Sequence, residues 1–338
     1  MRNGFISFFH WIRTRLGRQP KVNNAPIDPS TVVIGPPASG KTALVSSLHL
    51  CMEKRAHSFQ QYHIAITRRN ADYGRYVDLF EHALKQNKLA TPATDLTQFT
   101  EPQFTIELTP KHSNKKHNRK KRPLEAAFTT LDAAGGLLVS DTADSNKQGE
   151  DATKQARQTA KKKLECHLQK CNNIILCLPM FDKSYLDKQA YNMTQFIENF
   201  CESEHSVKKI IVCFSKYEQC GLRFGRSAYR TLAKREQAKI EMEAMFARHD
   251  LQRILGPLQR FDRHHDKSVW CTPVSTFGFV GENGGANVDV QEGNSVLRVP
   301  NPSYWSPFLT LDPFLFLMTG TTENSLIHPL GELDIPQI

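Results

Sequence analysis

The chain has 338 residues, enough for one large domain or two small ones, with 39 % hydrophobic, 9 % aromatic and 23 % charged residues. This globular composition excludes a disordered chain, and the apolar runs Ile174 to Pro179 and Ile210 to Phe214 are too short to span a bilayer. The net charge of +10 favours an anionic partner, and eight cysteines without a C-x-x-C pair read as reduced cytoplasmic thiols rather than a disulfide framework or a structural zinc site.

Taken in chain order, residues 1–18 place Phe5, Phe8, Phe9, Ile12 and Leu16 on one helical stripe with Arg2, Arg13, Arg15 and Arg18 around it. The stripe suits either an amphipathic helix docked on the chain's own core or a partner, or an interfacial helix on an anionic membrane surface, peripheral at its inner face. It does not suit a secretory signal, which needs a longer apolar core and a small-residue cleavage site. Residues 19–30 read as a linker. A strand is predicted at Thr31 to Ile34, a helix from about Lys41 to Arg55, a strand at Tyr62 to Thr67 and a helix at Tyr73 to Gln86. After a Thr- and Pro-rich loop at 90–103, Phe104 to Leu108 and Leu124 to Leu131 read as an antiparallel pair joined by the basic connector Lys111 to Arg122. A polar helix spans 151–170. Strand–helix units follow: Ile174–Leu178 with a helix near Tyr185–Cys201, and Ile210–Phe214 with a helix near Ser227–Arg248. Val269–Val274 is the last core strand. A small hairpin is expected from Val288–Val290 and Val296–Val299. Asp312 reads as an N-cap with Pro313 at the first helical position, opening a short apolar helix to Met318 that packs back on the domain.

Continuous apolar strands alternating with helices predict a three-layer α/β/α fold, its sheet mostly parallel with one antiparallel strand. The domain reading is an N-terminal basic helix at 1–18, a linker at 19–30, one large domain at 31–320 with insertions near 57–90, 111–122 and 281–311, and a C-terminal tail at 321–338.

Three motifs carry chemistry. Gly35-Pro36-Pro37-Ala38-Ser39-Gly40-Lys41-Thr42 matches G-x-x-x-x-G-K-[ST] between a predicted strand and a predicted helix. The glycines let backbone N–H groups turn inward around phosphate oxygens, and the helix N-terminus, with Ala43 in its first turn, adds positive potential. Lys41 suits the β- and γ-phosphates, and the Thr42 hydroxyl suits Mg2+. The plain alternative is a Gly/Pro turn capping a helix. Leu131-Asp132-Ala133-Ala134-Gly135-Gly136 ends an apolar strand in a carboxylate suited to hold Mg2+ and sets Gly135 where its N–H senses a γ-phosphate; alone it reads equally as a strand and a turn. Ser215-Lys216-Tyr217-Glu218 follows the strand Ile210–Phe214.

In this order the motifs resemble those of the translation-factor-related (TRAFAC) class of P-loop GTPases, of which Ras-like small GTPases are the simplest members. That resemblance implies a P-loop NTPase fold of Ras-like topology with insertions, GTP/GDP and Mg2+ as cofactors, and a molecular switch that hydrolyses GTP. In the class, N/T-K-x-D follows the corresponding strand; its Lys stem packs over guanine and its carboxylate bonds N1 and N2. Lys216 matches, while Ser215 replaces Asn or Thr and the longer Glu218 replaces Asp. Ser275 and Thr276, in Pro273-Val274-Ser275-Thr276, look like the last base-contacting loop. A switch threonine that ligates Mg2+ and closes over the γ-phosphate precedes the Phe104 strand in the class, for which Thr94 and Thr97 are favoured over Thr91 and Thr100. The extra strand and helix before the switch segment and the late Trp305-Ser306-Pro307 stretch look more like the large bacterial GTPases of conflict operons, the double-GTPase systems.

Many Ras-like members carry Gln just after D-x-x-G; this chain has Gly136 there, and Pro37 at a position often Gly. Slow hydrolysis is therefore expected unless a protein partner supplies the missing group, an arginine finger being worth about 10³–10⁵ in rate. The basic runs 111–122 and Lys154 to Lys163 lack aromatics for base stacking, and His112, His117, His264 and His265 do not show metal-ligand spacing; all read as surface. Two other readings stay open: a nucleotide-dependent scaffold recruited to a membrane or partner that scarcely hydrolyses, and, less favoured, a nucleic-acid-associated NTPase using the basic runs.

Overall fold

The computed structural model describes residues 31–36, 39–53, 59–86, 102–111, 123–130, 162, 165–180, 194–200, 205–280, 284–291, 297–299, 301–322 and 325–335. The expected N-terminal helix and linker, nearly all of the 90–103 loop and the basic connector, and residues 131–161 lie outside them.

The strands are β1 (Thr31–Ile34), β2 (Tyr62–Arg68), β3 (Gln103–Pro110), β4 (Leu124–Thr130), β5 (Asn173–Pro179), β6 (Lys209–Ser215), β7 (Ser268–Pro273), β8 (Asp289–Gln291), β9 (Leu297–Val299) and β10 (His328–Pro329). The helices are α1 (Lys41–Glu53), α2 (Ala71–Lys85), α3 (Ala228–Leu232), α4 (Arg235–Phe246), α5 (His249–Asp262) and α6 (Asp312–Thr319), with further helical residues at 165–170 and 194–200. Eight strands form one sheet in the order β10-β7-β6-β5-β1-β4-β3-β2, and β8 and β9 form the separate antiparallel hairpin. Strands β7, β6, β5, β1 and β4 run parallel. The expected reversed strand is β3, antiparallel to both β4 and β2, and the two-residue β10 adds a second reversal at the far edge.

This is an α/β fold of the P-loop type. β1 is central because both of its faces are covered: Val32 and Ile34 belong to one core cluster and Val33 to the other. That two-sided burial is why parallel strands read as unbroken apolar runs. The first cluster packs α4, α5 and the helical residues 165–170 and 194–200 against β5 and β6. The second packs α1, α2 and α6 against the other face, including β3 and β4. Its aromatic centre is Phe104, stacked on Tyr73 at 4.8 Å and Phe128 at 5.4 Å, with Phe314 of α6 edge-on at 5.9 Å.

Several elements differ from expectation. The helix expected near 227–248 is divided: a 3-10 stretch, Tyr217–Ser227, leads into α3, and Lys234 is extended (ψ 133°) before α4. The Tyr217 hydroxyl donates to the Leu232 carbonyl at 3.1 Å, satisfying a group the helix end leaves open. α5 has no counterpart among the expected elements. It carries Pro257 in its interior, which a local reading takes as a breaker, but burial of Leu251, Ile254, Leu258 and Phe261 overrides that preference. At α6 the cap is Leu311 and Asp312 is the first helical residue, each one position earlier than expected. Within the segment read as a C-terminal tail, β10 pairs with β7, and Arg235 donates to the carbonyls of Ser325 and Ile327 at 2.9 and 3.1 Å. Two residues of strand are too few to show a period. No helix among the described residues is long and apolar enough to cross a membrane.

Because Phe104 is fully buried at the meeting point of three rings, Phe104→Ala should destabilise the protein by about 3–5 kcal/mol in denaturant titration.

Candidate functional site

The chain leaves β1 for β4, β3 and β2 on one side and for β5, β6 and β7 on the other, so the order of the sheet reverses at β1. In open α/β sheets the crevice outside the carboxyl end of such a strand is where ligands bind. The Gly35–Thr42 loop sits there.

Gly35 is required by close approach. A Cβ there would lie 2.3 Å from the Cys177 carbonyl oxygen of the neighbouring β5. Gly40 has φ +80°, a left-handed conformation that L side chains resist. The loop then turns directly into α1, and the Leu44 N–H donates to the Gly40 carbonyl at 2.8 Å. Lys41 is only 6 % exposed, and its ammonium donates to the carbonyls of Gly35 and Pro36, each at 2.9 Å, with the Ser39 hydroxyl at 3.5 Å. An ammonium folded over the loop at a helix N-terminus makes this corner electropositive, which suits phosphate. Thr42 and Ala43 are half-buried in the first turn of α1.

The [ST]-K-x-[DE] residues lie beside this loop. Ser215, the last residue of β6, donates its hydroxyl to the Ser39 carbonyl at 2.6 Å and lies 3.3 Å from the Leu178 carbonyl. It ties the loop to β5 and β6. Lys216 is left-handed (φ 59°, ψ 33°), a conformation that costs energy for a residue with a side chain. Tyr217 N–H donates to the Val274 carbonyl at 3.2 Å and Val274 N–H to the Phe214 carbonyl at 2.8 Å, closing the ends of β6 and β7 together.

This brings Glu218 onto Ser275, whose hydroxyl donates to the Glu218 carboxylate and accepts from the Gly278 N–H at 2.7 Å. Glu218 is 2 % exposed. Burial pushes its pKa up to about 7, against the Ser275 hydrogen bond and the nearby Lys216 charge, which act downward. The loop after Ser275 is pinned on both sides. Ser275 and Phe308 exchange backbone hydrogen bonds at 3.0 and 2.8 Å, and the Trp305 indole donates to the Thr276 carbonyl at 2.7 Å. Gly278 has φ +68°, and a Cβ there would lie 1.6 Å from the Ser306 carbonyl oxygen.

The structure thus gathers Gly35, Ser39, Gly40, Lys41, Thr42 and Ala43 with Ser215, Lys216, Glu218, Ser275 and Thr276 at one end of the sheet. Ala38, Thr94, Thr97, Asp132 and Gly135 lie outside the described residues, as do Pro37 and Gly136. β4 ends at Thr130, and the last pair of its register with β1 is Thr130 with Val33. His264 and His265 are exposed, and no group of metal-ligating side chains is found among the described residues. Sequence reasoning missed the Cys177 carbonyl that floors the loop and Gly278 that lets the Ser275 turn close. The first leaves no side-chain signal, and the second shows only as a glycine between two phenylalanines.

Comparison with known protein families and with curated proteins finds no match. Among solved structures, the chain is similar to the S. cerevisiae Ski7 GTPase-like domain bound to GTP, with a TM-score of 0.35 and 11 % identity, over 88 % of this chain and 50 % of that one. For the same domain bound to GDP and inorganic phosphate the TM-score is 0.35 and the identity 10 %, over 93 % and 53 %. This chain therefore spans about half the length of the structures it matches. At these TM-scores the likeness is coarse.

Glu218 also sets a dependence of stability on pH. Its folded pKa of about 7 lies above its ordinary 4.5, so between those values the folded chain holds a proton that the unfolded chain has released. Stability falls as pH rises through that window, by at most about 1.4 kcal/mol per pH unit. Burial pushes His205 down to about 4 from 6.5, which gives the opposite slope between those values. The measurement is therefore a comparison: denaturant titrations of Glu218→Gln and wild type from pH 4.5 to 8 should diverge, with the variant gaining relative stability toward pH 7.

Proposed function

We propose that this chain is a Mg2+-dependent GTP-binding protein that hydrolyses GTP slowly and serves as a molecular switch. The observation that carries the reading is the geometry of the Gly35–Thr42 loop: two glycines, each with its own steric reason, and Lys41 folded over the loop at the N-terminus of α1. Backbone N–H groups of Gly35 and of Ala38 to Ala43 would hold the phosphates, with Lys41 moving from the loop carbonyls to the β- and γ-oxygens. Thr42 and Asp132 would hold Mg2+, which when bound neutralises charge on the β- and γ-phosphates. Their chemistry, a hydroxyl and a carboxylate, fits that ion.

The base would lie against Lys216, Glu218, Ser275 and Thr276. An ionised Glu218 offers paired acceptors to guanine N1 and N2 donors, which adenine lacks, and Ser275 sets its orientation. Thr94 or Thr97 and Gly135 would contact the γ-phosphate and order their segments when it is present. With glycine at 136, the chain itself brings no side chain there to orient the attacking water, so a protein partner is expected to raise the rate. The basic 1–18 segment is the candidate for recruitment to a partner or to an anionic membrane surface.

A binding titration with Mg2+ tests the reading. GTP and GDP should bind, ATP should not, and Lys41→Ala should abolish binding. ATP binding as tight as GTP would overturn the guanine assignment, and fast turnover by the purified chain would overturn the need for a partner.

A further inference from the structure

Two carboxylates are buried in the region that follows β6, and they are supplied differently. Glu241 of α4 accepts from the Arg223 guanidinium and from the Gln237 amide at 2.6 Å, so its ionised form meets a full opposite charge. Glu218 is buried as deeply. Lys216 is near enough to act on its charge, but among the described residues no cation forms an ion pair with it. Its donors are the Ser275 hydroxyl and its own backbone N–H. Ser275 has one proton to give, and its oxygen is already occupied by the Gly278 N–H at 2.7 Å. An ionised carboxylate has about four acceptor positions, so about half of them stay open. The segments 275–279 and 306–308 packed around the pair carry no titratable side chain. On the 3-10 stretch the other groups are the Tyr217 hydroxyl, bonded to Leu232, the buried Cys220 thiol, and Arg223 with its partner Glu241. Lys41 is turned to the carbonyls of Gly35 and Pro36.

Taking the guanine-binding reading above as given, we propose that guanine nucleotide binding expels one proton from Glu218, so that this chain binds GTP and GDP well at and above neutral pH and poorly below it. The guanine edge presents N1–H and N2–H, both donors, and needs two bare acceptor oxygens. A protonated Glu218 sets its own O–H against one of them, donor facing donor, and leaves a buried N–H unpaired. The acid therefore gives up its proton on binding. The O–H bond breaks, its electron pair stays on the carboxylate, and the proton goes to solvent. N1–H and N2–H then fill the open acceptor positions, doing for Glu218 what Arg223 and Gln237 do for Glu241.

The under-supplied donor set and the burial act together in the free chain, where the Glu218 pKa stands at about 7. Above that pH the carboxylate is already ionised, binding moves no proton and affinity is level. Below it each binding event must expel a proton, and affinity falls toward about tenfold per pH unit. GTP and GDP should therefore bind about tenfold more weakly at pH 6 than at pH 8. A carboxylate at its ordinary 4.5 would give almost no slope across that range.

Calorimetric titration of the full chain with Mg2+ and GDP, which avoids turnover, tests the proposal from pH 5.5 to 8.5 in paired buffers of different ionisation enthalpy. At pH 6 about one proton should be released per GDP bound, after subtraction of the titration of free GDP, and almost none at pH 8.5. Infrared difference spectra at pH 6 give the source of the proton: adding GDP should remove a protonated-carboxyl band and add a carboxylate band, which a phosphate proton cannot do. Ser275→Ala removes a donor that favours the ionised form, so the pH below which affinity falls should move upward. A merely structural loss of affinity would leave that pH in place. GDP binding with no carboxyl band change at pH 6, or with an affinity that is level from pH 6 to 8, overturns the proposal and leaves the guanine reading standing. So does an unmoved profile in a folded Ser275→Ala variant. GDP that binds no more tightly than ADP at pH 8, where Glu218 is ionised, overturns the guanine reading itself and the proposal with it.

Discussion

The fold depends on one steric constraint: the backbone at Gly35 passes so close to the Cys177 carbonyl that no side chain fits between them. That approach lets the loop after β1 turn over the end of β5 instead of continuing the strand. It also sets where α1 begins, since Gly40 turns left-handed and the helix starts at the next residue. Ser215 then fastens the same loop from β6 through the Ser39 carbonyl. Three neighbouring strands thus hold the loop, and its positive corner is a rigid feature of the sheet.

The second half of the site is built outward from that anchor. The residue after Ser215 is left-handed, the 3-10 stretch follows, and Glu218 is carried inward to Ser275. A buried carboxylate whose donors include a hydroxyl is costly to ionise, and its pKa is lifted to about 7 accordingly. The segment from Phe277 to Phe308 closes over this pair because Gly278 admits the Ser306 carbonyl and Trp305 reaches back to Thr276. α6 continues that segment into the aromatic centre around Phe104, so the Phe277–Phe308 segment and the β3–β4 half of the sheet share one core.

Much of this was legible from local pattern. β1, β5, β6 and β7 announce themselves as apolar runs, and α1 and α2 by helical spacing, within a residue or two of their ends. The Gly35–Thr42 motif names its own residues because glycine and lysine have few substitutes in that geometry. What was not legible has physical causes. α5 is hidden by Pro257, a local penalty that buried leucines outweigh. The break at Lys234 accompanies a tyrosine hydroxyl arriving from fifteen residues upstream at Leu232. β10 has two residues, and the segment leading into it is held by Arg235, ninety residues before Ser325 in sequence.

The sequence by itself determined the class of architecture, the residues of the Gly35–Thr42 turn and the order of the motifs, because these follow from side-chain period, backbone permissiveness and charge along short stretches. Only the tertiary structure decided that Ser215 tethers the loop and that Glu218 is buried on Ser275 with a raised pKa. Those outcomes depend on which strands become neighbours and how deeply each group is taken out of water, and neither is written in any local window of residues.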